Sequence, residues 1–210
     1  MKKKPEMQVN PVDIYRILFE ALQEITGKSG LQAIINMTSL PIEKADGTRI
    51  SVDHLTPDNW QNLAQTLESL YGQRGAYGIA VRTGQVFFRD FFRSFGLNTG
   101  MMDRHYRMLP KPKRIQRGLE ILADSLSLYI PDLQVDVIQD SENWYWRFKN
   151  MGLFSDSPGF AKILLKFIVG IIREFLSWTS GGKFYPVNEM NLAAEVNAGP
   201  IIIIQKRYID

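Results

Sequence analysis

The side chains able to do chemistry are few and spread along the chain. Arg82, Arg89 and Arg93 recur at near-helical spacing. Such a stripe presents guanidinium forks suited to a carboxylate or phosphate head group, and it is also what a solvated helix face looks like. A second basic group runs from Arg104-His105-Tyr106-Arg107 to Lys111-Pro112-Lys113-Arg114. Its density of charge suits nucleic acid, an anionic membrane or an acidic partner, and equally a charged loop left in water. Glu189 has no second acid or base near it in the sequence. That favours a structural role, accepting hydrogen bonds from turn amides and holding the last hairpin, over general-base chemistry.

The aromatic residues make a stronger pattern. Phe87, Phe88, Phe91, Phe92 and Phe95 put five phenylalanines into nine positions, too many for one helix face. Some must meet a second layer, a partner or a cavity. They line a pocket for an apolar ligand or they are ordinary core, the commoner fate of large aromatics. Trp144 and Trp146 share one face of a strand, with Tyr145 and Arg147 on the other. The tryptophans close the same pocket if they face a helix, and mark a contact surface if they face water.

Several chemistries are absent from the start. The chain has no cysteine and two histidines, which removes disulfides, thiolate metal sites, iron–sulfur clusters and Cys nucleophiles and leaves no His-rich site. There is no nucleophile elbow, no phosphate-binding loop ending in Lys and no dinucleotide fingerprint. The balance of 25 Lys and Arg against 22 Asp and Glu is a net charge of +3, too little to imply nucleic acid. The first nine residues read as a loose basic tail with no secretory signal. The longest apolar run of the most apolar helix, Phe167–Ile172, is far short of the about 20 residues a membrane span needs. The expectation is a cytoplasmic protein with no membrane span.

The elements that must position these residues are legible in outline. Asn10-Pro11-Val12-Asp13 and Thr56-Pro57-Asp58 are helix starts. Each opens an amphipathic helix that meets a Gly-x-x-Gly (Gly27/Gly30 and Gly72/Gly75) and then a second helix. The parallel reads as a duplication or as shared start and stop signals. Asp46-Gly47 marks a turn in a polar connection. Ala76–Phe95 reads as a helix, Met101–Arg117 as irregular, and Ile115–Tyr129 as an amphipathic helix ended by Pro131. Gln134–Gln139 and Trp144–Phe148 alternate as strands around an Asp140–Asn143 turn. The helix from Pro158 is apolar over most of its surface, with Lys162, Lys166 and Arg173 on its wet side, so it should be buried on more than one side. Phe184–Glu189 reads as a strand that Pro186 places at an edge or a bulge, and Ile201–Ile204 as a strand covered on both faces. The fold class is α+β: an antiparallel sheet of about four to five strands with helices packed on it, preceded by an N-terminal helical segment. The division expected is 1–56 for that extension and 57–210 for the α+β domain.

Two blocks then resemble the 4-vinyl reductase domain family, also called hydrocarbon-binding proteins, which is related in fold to TRAPP-type trafficking subunits and haem-based nitric-oxide-sensing domains. The first runs from Tyr71-Gly72-Gln73-Arg74-Gly75-Ala76 through Arg82-Thr83-Gly84 to Phe88-Arg89. The second is Gly170, Gly182-Lys183-Phe184 and Val187-Asn188-Glu189. The family continues from its Glu into a Cys-x-Ala-x-Gly-Asp pattern. Here Ala194 is kept, Leu192 and Pro200 stand at the cysteines, and Val196-Asn197 at the Gly-Asp pair. A metal or redox role tied to those cysteines therefore does not carry over. His105, tempting as a haem ligand given those fold relatives, stands without any partner pattern around it.

The resemblance implies a non-catalytic protein that binds or senses an apolar or aromatic small molecule. Phe88, Phe91, Phe92, Phe95, Trp144 and Trp146 would bind the apolar body, and Arg82 and Arg89 a head group. No catalytic residue, metal or cofactor is expected, and a homodimer or a partner protein is. The alternatives are an assembly protein without ligand, with the Ile201–Ile204 run at its interface, and a tetrapyrrole-related enzyme or accessory.

Overall fold

Two long helices set the frame, and each bends at a glycine that the spacing marks as a break. The computed structural model describes residues 11–38, 40, 43–45, 49–51, 55–130, 133–149, 158–190 and 200–209. Helix α1 spans Pro11–Thr38 and α2 spans Pro57–Phe95. Gly27 lies at φ 76°, ψ 169° and Gly72 at φ 67°, ψ 163°, a region that a side chain with Cβ enters only with strain. The helical path resumes after each, so each long helix consists, as expected, of two helical segments joined at a glycine kink. Thr56 starts α2 with a capping box. Its hydroxyl accepts from the Asn59 amide at 3.2 Å, and its own amide donates to Asn59 Oδ1 at 3.0 Å. Along the first half of α2, Trp60, Leu63, Ala64 and Leu67 are buried, while Leu70 and Tyr71 emerge into solvent at the bend.

After α2 come a one-turn helix α3, Arg104–Arg107, and helix α4, Lys111–Tyr129. The expected irregular segment is thus shorter than its prolines imply. Pro112 sits in the first turn of α4, where a missing N–H leaves no helical bond unmade. Strands β3, Val135–Gln139, and β4, Asn143–Phe148, form the expected hairpin. Asp140 Oδ1 closes it by accepting the amides of Glu142 at 2.8 Å and Asn143 at 2.7 Å. Helix α5 is Pro158–Ser180, followed by β5, Val187–Met190, and β6, Ile201–Gln205. A separate small antiparallel hairpin pairs β1, Glu43–Ala45, with β2, Arg49–Ser51.

The protein is α+β, with a four-stranded antiparallel sheet in the order β3-β4-β6-β5. The edge position of β5, directly after Pro186, agrees with the proline rule. Trp144 stands opposite Ile204, and Trp146 opposite Ile202, so these residues share one face. All four are buried there, with Trp146, Ile202 and Ile204 at 0 % exposure. Ile201 is buried and Ile203 half-buried, so the isoleucine run is interior to the sheet.

Helices α2 and α5 form the densest contact. A Cβ on Gly170 would lie 2.0 Å from the Val81 carbonyl oxygen, and one on Gly84 would lie 2.1 Å from that of Phe167. The two backbones touch at this crossing. Leu18 and Leu22 of α1, Trp60 of α2, Leu126 of α4 and Phe167 of α5 belong to one hydrophobic core with the sheet. Asn10, Asp46-Gly47, Pro131, Leu192, Ala194 and Val196-Asn197 lie outside the described residues.

Candidate ligand cavity between the helices

Away from the glycine crossing, α1, α2 and α5 do not close on one another. They leave a cavity of about 40 Å³. Leu18 and Leu22 of α1 form one wall, and Trp60, Leu63 and Leu67 of α2 a second. Ala80 and Thr83, beyond the bend in α2, and Phe160, Ile163 and Phe167 of α5 complete it. The atoms that face the cavity are all apolar, those of Thr83 and Trp60 included; the Thr83 hydroxyl and the Trp60 N–H are themselves buried without a hydrogen-bond partner among the described residues. About 10–15 Å³ suffices for one water, but a wall without polar atoms gives a water nothing to hydrogen-bond. It has room for a compact apolar guest of a few atoms.

Two smaller voids continue the seam. One of about 20 Å³ shares Leu18, Trp60 and Phe167 with the main cavity. One of about 10 Å³ shares Phe87 and Leu126 with the second. The side chains of Trp60, Phe167 and Phe87 are therefore the partitions of a single apolar seam.

The phenylalanine cluster lies at the inner end of this seam. Phe87, Phe88 and Phe91 are buried and border the smallest void; Phe92 and Phe95 are half-buried. Phe88 stacks on Phe92 at 5.7 Å and meets Phe175 edge-on at 6.0 Å, and Phe92 lies 4.2 Å from Trp178. Trp144 and Trp146 border none of the three voids; they pack in the sheet core, Trp144 against Tyr185 at 6.4 Å. Arg82 is exposed. Arg89 donates to Glu24 at 2.7 Å and to Asp90 at 3.0 Å, contacts that raise its pKa and commit it to α1.

Glu189 takes a partner other than turn amides. Its position opposite Ile202 turns it to the helix side, where it meets the Lys166 ammonium at 2.9 Å and ties the edge strand to α5. His105 is exposed on α3, while its neighbour Tyr106 is buried and its phenol is pushed up to about 12 by that burial. No group of His, Asp and Glu among the described residues is placed to hold a metal ion.

Sequence reasoning missed most of the cavity wall, notably Leu18, Leu22, Trp60, Thr83, Phe160 and Phe167. Their signal was present as three apolar stripes, but a stripe does not state where its helix fails to meet the next.

No protein-family model matches the chain, and no curated protein matches it in sequence. Its fold, however, is shared with solved H-NOX domains. An H-NOX structure from a study of haem distortion superposes with a TM-score of 0.64 at 10% identity, covering 95% of this chain and 97% of that one. An H-NOX mutant from T. tengcongensis gives 0.61 at 9% identity, covering 96% and 100%. The Fe(II) unliganded H-NOX protein from K. algicida gives 0.57 at 11% identity, covering 92% and 97%. At such identities the likeness is one of fold: the helices and sheet described above are arranged as in H-NOX domains.

Proposed function

We propose that this protein binds a small apolar molecule in the seam between α1, α2 and α5 and serves as a non-catalytic binding or sensing protein. The observation that carries the reading is the hydrocarbon-walled cavity of about 40 Å³, with two smaller voids continuing it between the same helices. Interiors normally fill such space, because a void forfeits the dispersion contacts of its lining. Phe88 and Phe91 would bound the inner end of the seam, with Phe92 and Phe95 backing them. The resemblance to hydrocarbon-binding proteins and the shared fold of small-molecule-binding H-NOX domains support the same reading.

Haem does not fit these residues. Among the described residues that line the seam there is no imidazole and no thiolate, and His105 is exposed to solvent on α3. The one phenol at its wall, Tyr15, borders the void of about 20 Å³, a space far smaller than a porphyrin. The ligand is therefore a small or thin apolar molecule. A sensing step would follow from the bends at Gly27 and Gly72, since both bent helices line the cavity and a guest would favour one setting of them.

Native mass spectrometry of the purified protein, repeated under denaturing conditions, tests this. The expected result is a mass excess that disappears on denaturation, or binding of added small hydrocarbons, and its abolition by Ala64→Leu, which plugs the cavity. Binding unchanged by that plug, or no binding of any apolar probe, would reject the reading.

A further inference from the structure

The opposite end of α5 carries a different surface. Three segments distant in sequence meet there: the turn and helix start at 104–114, the end of α5 with the following turn at 179–184, and the last residues at 206–209. Arg114 donates to the Thr179 carbonyl at 2.9 Å and to the Arg107 carbonyl at 3.2 Å, joining the first segment to the second. The Tyr208 ring sits beneath the ammonium of Lys183 at 4.8 Å and that of Lys111 at 5.7 Å, which brings in the third. Phe184 pairs with Ile209 as an isolated bridge beside them.

These segments contain eight of the 25 Lys and Arg and no Asp or Glu, which leaves 17 basic residues against all 22 acidic ones elsewhere. Asp103 and Asp210 flank these segments and Lys206 reaches the Asp140 turn, so the basic excess is centred on Lys111, Lys183 and their neighbours rather than on every cation of the three segments. The same end exposes large apolar side chains: Met108 at 71 %, Ile209 at 59 % and Phe184 at 55 %. Cations interleaved with exposed apolar tips match an anionic bilayer, where the charges meet lipid headgroups and the apolar side chains enter the boundary beneath them. Aliphatic Ile209 and Met108 offer nothing to a nucleic-acid base stack.

We infer that this basic and apolar end, centred on Lys111, Lys183, Tyr208, Phe184 and Ile209, is a docking surface for anionic lipid membranes. The test is flotation of the full chain with phosphatidylcholine vesicles, with and without phosphatidylserine, at low and high salt. Binding to the phosphatidylserine vesicles alone, lost in high salt, is expected. Lys111→Glu with Lys183→Glu should lower the bound fraction at least about tenfold. Phe184→Ser with Ile209→Ser should weaken it at unchanged charge. The control Lys28→Glu with Arg74→Glu changes net charge equally on other surfaces and should leave binding intact, with thermal melting confirming that each variant is folded. Absence of binding, equal binding to neutral vesicles, or equal loss in the control would overturn the inference, as would capture of RNA or an acidic peptide without vesicle binding.

Discussion

Thr83 and Gly84 are neighbours on α2, yet they stand in opposite packing regimes. Thr83 faces the open seam, while Gly84 rests on the backbone of α5 with no room for a methyl group. Phe167 faces both: its ring lines the cavity and its carbonyl oxygen touches Gly84. The same helix pair is thus locked at one level and loose at the next. Two rigid helices crossing at backbone contact diverge from that point, and only side chains can fill the widening gap. At the crossing, glycines are required; in the cavity, Ala64 and Ala80 are smaller than the space would take.

The comparison breaks most visibly at the crossing. Gly170→Ala should destabilise the protein by about 3 kcal/mol or more, because the new methyl meets the Val81 carbonyl rather than a side chain that can turn away. Chemical denaturation measures it, and a loss under 1 kcal/mol would show that the helices are not locked there.

Tyr106 sharpens the picture of the packed side. A Cβ on Gly118 would lie 2.5 Å from the Tyr106 hydroxyl oxygen and 2.2 Å from Phe175. Burial holds this phenol protonated to about 12, above the ordinary 10.0. The folded state keeps a proton that the unfolded chain releases at lower pH. Its contribution is therefore complete below pH 10 and is lost as pH rises from 10 to about 12, by roughly 2–3 kcal/mol. Tyr106→Phe should remove that part of the alkaline loss, read from unfolding curves across this range.

On the loose side, Ala64→Leu should change stability by no more than about 1 kcal/mol, since added carbons enter existing space. A large destabilisation would mean that the cavity level is as tightly set as the crossing. The smallest effect belongs to the edge of the sheet. Glu189→Gln should cost about 0.5 kcal/mol, because the Lys166 pair is partly exposed, and a double-mutant cycle with Lys166→Met should return a coupling of the same size.

How far each feature was legible follows from the range of the forces behind it. The Thr56 cap, the breaks at Gly27 and Gly72, the Asp140 turn and the amphipathic stripes are local, so residue types at short spacing were enough to read them. The break at Gly72 and the helix after it were both legible; the angle between the two segments was not, because it depends on what packs against both halves. The phenylalanine cluster was legible as aromatic density. That Phe88 and Phe91 border only the smallest void, and that Trp144 and Trp146 sit in the sheet core, depended on which elements lie across from them. The basic run at 104–114 is legible as local charge density; its union with Lys183 and Tyr208 joins residues about seventy to a hundred positions apart.

The sequence by itself determined the α+β fold class, the order of the main helices and of the four sheet strands, and the exclusion of cysteine chemistry, because these rest on composition and on periodicities of two and 3.6 residues; the β1–β2 hairpin and the early start of α4 it did not reveal. Only the tertiary structure decided where α2 and α5 touch and where they part. It also decided that Glu189 meets Lys166 rather than turn amides, and that three basic segments share one end of α5. Those outcomes turn on distances between segments far apart in the chain, and such distances are set by the packing of the whole core.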